Sequence, residues 1–597
     1  FLPLAMTIAF SLIMSFFVSR TVTPVLCFYW LKPEDHRTGP AIARWIGRVL
    51  DALDRRYAAG LRWALTHRAL TVGSIGAFFA LSLLLKAGIG SEFFPETDES
   101  QFTVSFKTPI GTRVERAEQV AIRIEDAVER ALKDGQGRTP RSTVLDSVGL
   151  PAGRTALFSS NTGTHAGNVQ VNLVPRTERS ISDIQATEKV RAALRDVLPG
   201  ITVTLFSGGI VKRILNFGSA APIDVEVLGY DLETAARFSL QVMNALRELR
   251  DAKGQTLLTD LQISREENAP EIDVSVDRQK AGMLGISEQD VAQTVLTSLV
   301  GSGQMTPIPY TDPESGNEYT INVRLNDAHR SSVQDLRDVS LRAPSGKVVA
   351  LSELASIERG SGPVMIDRKY LQRVVHVTAN VSPQADLGTA SSAVRGVLQT
   401  LPVPDGFTVG LSGQAEEQAK AFAGLAMAGV MALALVYMVL ASQFKSLIDP
   451  LVIMFSVPLG VSGVFLMLLA TGTKLSVNSF MGIIMMVGIV VSNGVLLVDF
   501  TNVLRRRGHE MIEATIEAGR TRLRPILMTT IATIVGLVPM ALGIGEGSET
   551  NLPLARAVIG GLTVSTVFTL FLVPVLYTLL DRFARKGDYD PEEKSIG

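Results

Sequence analysis

The run PLARAVIGGLTVSTVFTLFLVPVLYTLL, residues 553–580, carries a single charge, Arg556. A helix of that length crosses a hydrocarbon layer of roughly 30 Å, so a membrane span is expected there. Six more apolar runs of spanning length fall at 4–30, 69–89, 419–441, 448–470, 478–500 and 524–545. The 553–580 run also has a counterpart. Sliding the chain by 550 positions without a gap sets Leu2, Pro3, Leu4 and Ala5 on Leu552, Pro553, Leu554 and Ala555, and Pro24, Val25 and Leu26 on Pro574, Val575 and Leu576. Leu12 with Leu562 and Ser15 with Ser565 match as well. Proline pairs at matching ends of two spans point to a duplicated bundle. Residues 1–33 are therefore expected to be the last helix of a first repeat whose other helices are not in this sequence. The initial Phe1, in place of a Met and with no basic n-region before the apolar run, fits a chain that starts inside a longer protein.

Between the second and third spans, residues 90–418 regain charge and have no run of membrane length. Composition agrees with a mixed protein: 46% hydrophobic and 19% charged residues in 597, with a mean hydropathy of +0.26. A net charge of -1 gives no global basic excess, so no nucleic-acid partner is expected. The lone cysteine, Cys27, excludes an internal disulfide and reads as a small apolar residue. Lys and Arg set the orientation, because short basic loops stay cytoplasmic. Lys32 to Arg68 holds eight of them, and Arg505 to Arg524 holds six, whereas Lys474 stands alone in its loop and Glu546 and Glu549 occupy another. Phe1 and the 90–418 region are then expected outside the cytoplasm and the tail, 586–597, inside. The stretch 34–68 is a cytoplasmic linker whose part from Pro40 to His67 reads as an interfacial amphipathic helix.

Within 90–418 the pattern alternates between strand and helix. Gln101 to Lys107 reads as a strand, Arg113 to Leu132 as a helix, Val169 to Val174 as a strand, Ser182 to Leu198 as a helix and Ile201 to Phe206 as a strand. A second unit opens with Ile223 to Leu228 and a helix from Leu232 to Leu249. It resumes with Val374 to Val381, a helix near Gly388 to Leu401 and Phe407 to Leu411. These are split βαβ units, interrupted over 278–361 by an insertion with its own strands.

The layout and several local signatures resemble the resistance-nodulation-division (RND) superfamily, most closely its hydrophobe/amphiphile efflux branch, from residue 1 to about 585. Thr23 to Cys27 with Lys32-Pro33 is similar to the end of the sixth family helix. Phe94-Pro95-Glu96-Thr97-Asp98 with Pro109-Ile110-Gly111-Thr112 is similar to the entry into the periplasmic porter domain. Pro458-Leu459-Gly460, Gly488 to Phe500 and Arg522 to Thr530 are similar to the ninth, tenth and eleventh helices. The resemblance implies an α-helical membrane bundle of seven spans, half of a duplicated twelve-helix bundle, joined to an α+β periplasmic porter domain of split βαβ units. After residues 69–97, a membrane helix and the entry to the periplasm, it implies porter subdomains at 98–221 and at 222–277 plus 362–418. A docking subdomain would occupy 278–361, and a five-helix bundle 419–585. It also implies a proton-driven exporter of small hydrophobic or amphiphilic compounds in a bacterial inner membrane. Such a pump would be a homotrimer working with a periplasmic adaptor and an outer-membrane channel, with no cofactor beyond the proton gradient.

Polar side chains inside a bilayer cost a few kcal/mol unless partnered, which makes them candidates for function. Ser492 and Asn493 lie about seven residues from the cytoplasmic end of their span, and Thr529, Thr530 and Thr533 about five to nine residues into the next. Both groups would thus sit roughly 8–13 Å inside the same face. The residues alone leave two readings open, a proton path or hydrogen bonds that only join helices. The resemblance favours the proton path. It implies a carboxylate pair on a fourth helix outside this sequence, partnered by a lysine, a threonine and an arginine. Thr529 and Arg522 match the last two, but Ser492 stands at the lysine position, and Arg20 is the expected replacement cation. Asp499, at the end of its span, reads as interfacial. The glycines 460, 463, 482, 488, 494, 560 and 561 are expected at close helix contacts, and Met481, Met485 and Met486 as apolar filler.

The resemblance sets Pro151 to Gly167 on a substrate-gating loop, with Arg154, Phe158, Asn161, Gly163 and Gly167 as candidates; its composition alone would suit a surface turn. Phe158 is the only aromatic in 151–200, where relatives that export aromatic drugs carry several. Residues 98–221 have no Met or Cys and His165 as their only histidine, which disfavours a soft-metal site; no metal is expected. A membrane-anchored periplasmic binding or sensory module is the rival reading, against which stands the absence of any long cytoplasmic region. An RND relative assisting lipid or protein export is a third. No GxxxxGK[ST] motif or nucleophile-base pair marks an ATPase or another enzyme.

Overall fold

The computed structural model describes residues 2–30, 41–133, 135, 137–150, 161–195, 197–216, 219, 221–251, 253–304, 307–545 and 547–580. The expectations for Lys32-Pro33, for the tail 586–597 and for Arg154 and Phe158 fall outside these residues.

Helices α1 (Leu2–Arg20) and α2 (Val22–Trp30) form the first apolar rod, interrupted at Thr21. Helix α3 (Ala41–Thr66) follows, then α4 (Arg68–Leu85). The first αβ unit is β1 (Gln101–Lys107), α5 (Val114–Leu132), β2 (Arg141–Val148), β3 (Ala166–Leu173), α6 (Asp183–Leu194), β4 (Thr202–Ser207) and α7 (Ile210–Leu215). Its sheet order is β2-β3-β1-β4, all antiparallel neighbours. Strand β2 was not legible beforehand, because its side chains are exposed or half-buried along its whole length and give no alternation. Phe102, Val104, Phe106, Val169 and Val171 point from the sheet onto Ala117, Ile124 and Val128 of α5 and Ala186 and Val190 of α6.

The second unit is β5 (Ile223–Gly229), α8 (Leu232–Arg247), β6 (Leu258–Ile263) and β7 (Ala269–Val276). The insertion follows with α9 (Arg278–Met283), α10 (Glu288–Leu299), β8 (Ile308–Thr311), β9 (Glu318–Ile321), α11 (Val333–Arg337), β10 (Ser340–Arg342), β11 (Val348–Ala350) and α12 (Leu351–Leu354). The chain returns through β12 (Ala355–Gly362), β13 (Asp367–Lys369), β14 (Gln372–Val381), α13 (Leu387–Thr400) and β15 (Thr408–Ser412). The second sheet runs β13-β14-β5-β15, with β6 also on β14. Strands β7 and β12 pair as a two-stranded stalk that carries the insertion, so the excursion from the second sheet begins at Ala269. At its far end β8 and β9 form an exposed hairpin.

Helices α14 (Gln414–Phe444), α15 (Ile448–Met454), α16 (Ser456–Ala470), α17 (Val477–Arg506), α18 (Met511–Ala541) and α19 (Leu552–Leu580) complete the chain. Seven helical segments among the described residues are long and apolar enough to cross a membrane. Helix α18 begins thirteen residues before the expected 524, since the basic stretch ahead of the apolar run, including Arg520 and Arg522, is helical too. Helices α16 and α19 meet at glycines. A Cβ on Gly463 would lie 2.3 Å from the Gly560 carbonyl oxygen, and one on Gly560 2.2 Å from Met467 Cβ. Gly460, Gly482, Gly494 and Gly561 are equally crowded, whereas Gly488 has nothing within 4 Å and does not serve a close contact. Met486 is fully buried against Gly460 and Gly561, as apolar filler.

Candidate functional site

Among the described residues, no hydrogen bond joins any two of Arg20, Ser492, Asn493, Arg522 and Thr529. Asn493 is buried on α17, whose next residue Gly494 lets Ile453 of α15 approach closely. Ser492, one step round the helix, is exposed, and so is Thr529, whose hydroxyl donates to the Pro525 and Ile526 carbonyls of its own helix at 3.2 and 3.0 Å. Its neighbour Thr530 turns inward and meets Thr566 of α19 at 3.2 Å. Arg522 places its guanidinium 4.5 Å from the Phe500 ring centre on α17, with its Nε buried and without a hydrogen-bond partner among the described residues. Arg20 ends α1 on an exposed surface, over the Phe16 ring at 5.8 Å. Asp499 is exposed.

A polar chain that the sequence did not suggest joins three of these helices. Asn502 on α17 donates to Asp449 on α15 at 3.2 Å, Tyr577 on α19 donates to Asn502 Oδ1 at 2.5 Å, and Arg505 donates to Tyr577 Oη at 3.0 Å. Its bonded partners lie 53 to 75 residues apart, and each alone reads as a span-end polar residue. Only packing assembles them.

Outside the helices, a cavity of about 230 Å³ opens where the segment leaving α4 meets both αβ units. Phe93, Phe94 and Phe206 supply its aromatic lining and Glu188, Arg191, Lys212 and Lys474 its charge. The aromatic residues thus come from outside 151–200, the window in which they were sought. Burial raises the pKa of Glu92 at this wall to about 7; Lys474 opposes the shift, and Glu96 and Asp386 add to it. The Glu92 amide donates to the Leu475 carbonyl and the Leu475 amide to that of Gly90, so the segment leaving α4 is stitched to the residues just before α17.

The described end of the candidate gating loop is tied across the two units. Glu266, just beyond β6, accepts hydrogen bonds from Lys107 of β1 and from Thr162 at 2.8 Å, and pairs with the buried His165. Burial raises the pKa of Glu266, but the Lys107, Thr162 and His165 contacts outweigh it and hold the carboxyl below its usual range. Asn161 donates to the Ser147 and Gly149 carbonyls at 3.0 and 2.9 Å, and so holds the loop to β2. Gly163 passes so close to His165 that a Cβ would lie 2.8 Å from Nδ1, and a Cβ on Gly167 would lie 2.5 Å from the Phe106 ring. Arg191 with Asp260, and Asn380 with the Leu205 carbonyl, add further ties between the units.

One further cluster was not read from the sequence. On the second sheet, Ile223, Val225 and Val227 face the helices, so Asp224 and Glu226 face the other way, beside His376 of β14. The side chains of Asp224, Glu226 and His376 offer ligand atoms within 4.8 Å of one another. His376 Nδ1 lies 3.0 Å from Asp224, and Lys369 donates to both Glu226 oxygens at 2.8 and 2.7 Å. Burial lowers the His376 pKa, but Asp224, Glu226 and Asp367 outweigh it and the net shift is upward. A carboxylate, carboxylate, imidazole set suits a borderline divalent cation, which would have to displace the His376 proton and the Lys369 ammonium. The three residues lie at 224, 226 and 376, a spacing that carries no local motif; the antiparallel register of β5 and β14 brings them together.

The family model described as the AcrB/AcrD/AcrF family matches residues 1–581. Two solved X-ray structures of a heavy metal efflux pump, in crystal forms II and I, superpose with TM-scores of 0.71 and 0.70 at 27% and 26% sequence identity. Each match covers 89% of this chain and 52% of that pump, so the chain spans about half the length of those structures.

Proposed function

The chain belongs to the AcrB/AcrD/AcrF family, RND efflux transporters, and from that membership we propose that it forms part of a proton-driven export pump of the inner membrane. The observation that carries the reading is the cavity at the head of the apolar helices. It is walled by the segment leaving α4, by both αβ units and by Lys474 at the turn into α17. The Gly90–Leu475 and Glu92–Leu475 hydrogen bonds join the cavity wall to the start of α17, the helix that carries Asn493, and offer a path by which a change there would reach the cavity. Export needs such a connection, because a proton shifts a conformational equilibrium only through contacts that differ between its states.

The substrate reading follows from the cavity wall. Three phenylalanines beside acidic and basic groups suit small amphiphilic compounds, which need an apolar surface and a polar anchor. Asp224, Glu226 and His376 favour a second reading, a divalent cation held by oxygen and nitrogen, and the likeness to a heavy metal efflux pump supports it. The proposal extends to a homotrimer in which the exposed β8–β9 hairpin touches a neighbouring protomer, and to a periplasmic adaptor and an outer-membrane channel as partners. Expression of the full-length protein in a host stripped of its own pumps tests both substrate readings. Raised tolerance to amphiphilic dyes, abolished by a protonophore, supports the first. Raised tolerance to zinc or cobalt, lost in Asp224→Asn and in His376→Gln, supports the second. No change in either tolerance at verified expression removes the export reading.

A further inference from the structure

We propose that the outward face of α3 is a binding surface for anionic phospholipid headgroups of the leaflet on the cytoplasmic side. The inference needs α3 at a bilayer surface and does not depend on what the protein transports.

Three helices fix the level of α3 independently. Tyr57 of α3 donates to the Leu570 carbonyl of α19 at 2.8 Å. Leu570 is eighteen residues past Leu552, where α19 begins, which places it roughly 27 Å along the helix at 1.5 Å per residue. Arg524 of α18 reaches Asp51 and Asp54 of α3 at 2.7 and 2.6 Å, and lies seventeen residues, roughly 26 Å, before the end of α18 at Ala541. Helix α4 starts immediately after α3 and runs roughly 27 Å from Arg68 to Leu85. All three lengths approach the roughly 30 Å of a hydrocarbon core. Helix α3 is therefore docked at the boundary between hydrocarbon and headgroups.

Its inner face is committed to protein. Tyr57, Leu61, Ala64 and Leu65 pack on Leu523, Ile526, Leu570 and Val575. Its outer face is a pair of adjacent rows at heptad spacing, Arg55 with Arg62 and Arg56 with Trp63, all exposed. Trp63 is 54% exposed and stacks on His67 with ring centres 5.0 Å apart. Among the described residues Arg55, Arg56 and Arg62 have no carboxylate partner. The acids nearby do not answer them. Asp51 and Asp54 are held by Arg524, and the exposed Glu513 and Glu517, on the stretch of α18 that meets Tyr57 and Leu61 at Gly519, form no ion pair with them among the described residues. Three guanidiniums at headgroup level, without a carboxylate partner among the described residues and beside an exposed indole, match a phosphate-rich surface in charge and in depth. Guanidinium binds phosphate with two parallel hydrogen bonds, and tryptophan settles at the interface.

The test uses full-length protein in nanodiscs of phosphatidylcholine with an equal amount of phosphatidylglycerol, in a variant that keeps Trp63 as its sole tryptophan. Bromine is placed on the chains of one lipid or the other, and Trp63 fluorescence is read. Brominated phosphatidylglycerol should quench roughly twofold or more strongly than brominated phosphatidylcholine. The preference should vanish in Arg55→Gln/Arg56→Gln/Arg62→Gln, persist in the corresponding triple Lys variant, and weaken on raising the salt around the unaltered arginines. Equal quenching by the two lipids overturns the proposal. Quenching by neither overturns it as well, since Trp63 would then face water or a soluble protein. Should the Gln variant fail to insert, a salt-independent preference in the parent protein counts against the guanidiniums.

Discussion

The seam between α16 and α19 and the junction between the two αβ units are both buried, and they are held by opposite means. At the seam no charge takes part: Gly463 and Gly560 bring backbones together until each glycine touches the other's carbonyl, with Val464, Val558 and Leu562 around them. At the junction the ties are Lys107–Glu266–His165, Arg191–Asp260 and Asn380 to the Leu205 carbonyl. In lipid, hydrophobicity cannot drive helices together, so shape must. At the junction water can take over each partner as the units part, which offsets the loss of a largely buried ion pair in a way that lost packing in lipid is not offset. The αβ junction is therefore the seam better able to open, and the α16–α19 seam the one that stays closed.

The contrast breaks most sharply at the seam. Gly560→Leu should abolish a stable fold or lower it by about 3 kcal/mol or more, since its Cβ already collides with Met467 Cβ and the Gly463 carbonyl. Thermal unfolding in detergent reads this, with Gly424→Ala, where a Cβ meets nothing within 4 Å, as the unaffected control. A Gly560→Leu protein as stable as the parent would remove the shape argument.

Charge at the cavity wall gives a pH-dependent effect. Glu92 has a folded pKa near 7 against an ordinary 4.5, so the folded state binds the proton more tightly than the unfolded state. Its contribution is present in full below pH 4.5 and is lost as pH rises through 7. Glu92→Gln should therefore match the parent at pH 4.5 and exceed it at pH 8, by at most about 3 kcal/mol. Unfolding midpoints at both pH values check the sign; a variant less stable at pH 8 contradicts the burial of an unneutralised carboxylate.

At the junction, Glu266→Gln should cost about 2 kcal/mol at pH 7, because it leaves Lys107 and the buried His165 without their carboxylate. The folded pKa of Glu266 is depressed, so the parent's advantage holds above pH 4.5 and fades as the pH falls through the lower folded value. Proteolysis near Thr162 should rise in the variant, and unchanged cleavage would show that the tie does not hold this segment. The smallest effect belongs to the neutral Thr530–Thr566 pair between α18 and α19. Thr530→Val should cost only about 0.6 kcal/mol, the usual size of a hydrogen bond between membrane helices. A loss above about 2 kcal/mol would mean that polar pairs, and not shape, hold this bundle.

Much of this arrangement was legible beforehand. Period-two and helical patterns marked β1, β3, β5 and β14 and their helices, because one face of each is buried and the alternation survives in the sequence; β4 and β15 kept the alternation although they are mostly half-buried. Strands β2 and β6 lacked that contrast, since most of their side chains are only half-buried or exposed. The proposed proton-path residues were found as polar letters in apolar runs, yet which of them face inward was not. Asn493 and Thr530 are buried while their neighbours Ser492 and Thr529 are exposed, a rotation of one residue that only helix packing sets. Asp224, Glu226 and His376, and the Asp449–Asn502–Tyr577 chain, could not be read at all, as their members meet through strand register and helix contact.

The repeated helix separates the two kinds of information. Residues 2–30 and 552–580 share prolines, leucines and length, and the sequence alone marked both as apolar spans, at 4–30 and 553–580, which the structure shows as helices starting at Leu2 and Leu552. Burial differs completely: none of the spanning window is buried in α1 and α2, against 67% in α19. The two helices also differ at the contact itself, since Phe10 and Ser11 stand where Gly560 and Gly561 allow α16 to close in. Burial was decided by tertiary structure. Apolar length fixes that a segment leaves water, because backbone and side chains together make that transfer favourable. Which surface it then meets depends on whether another helix offers a matching groove, and for α19 that groove is supplied by Gly463 on α16, 97 residues away in the chain.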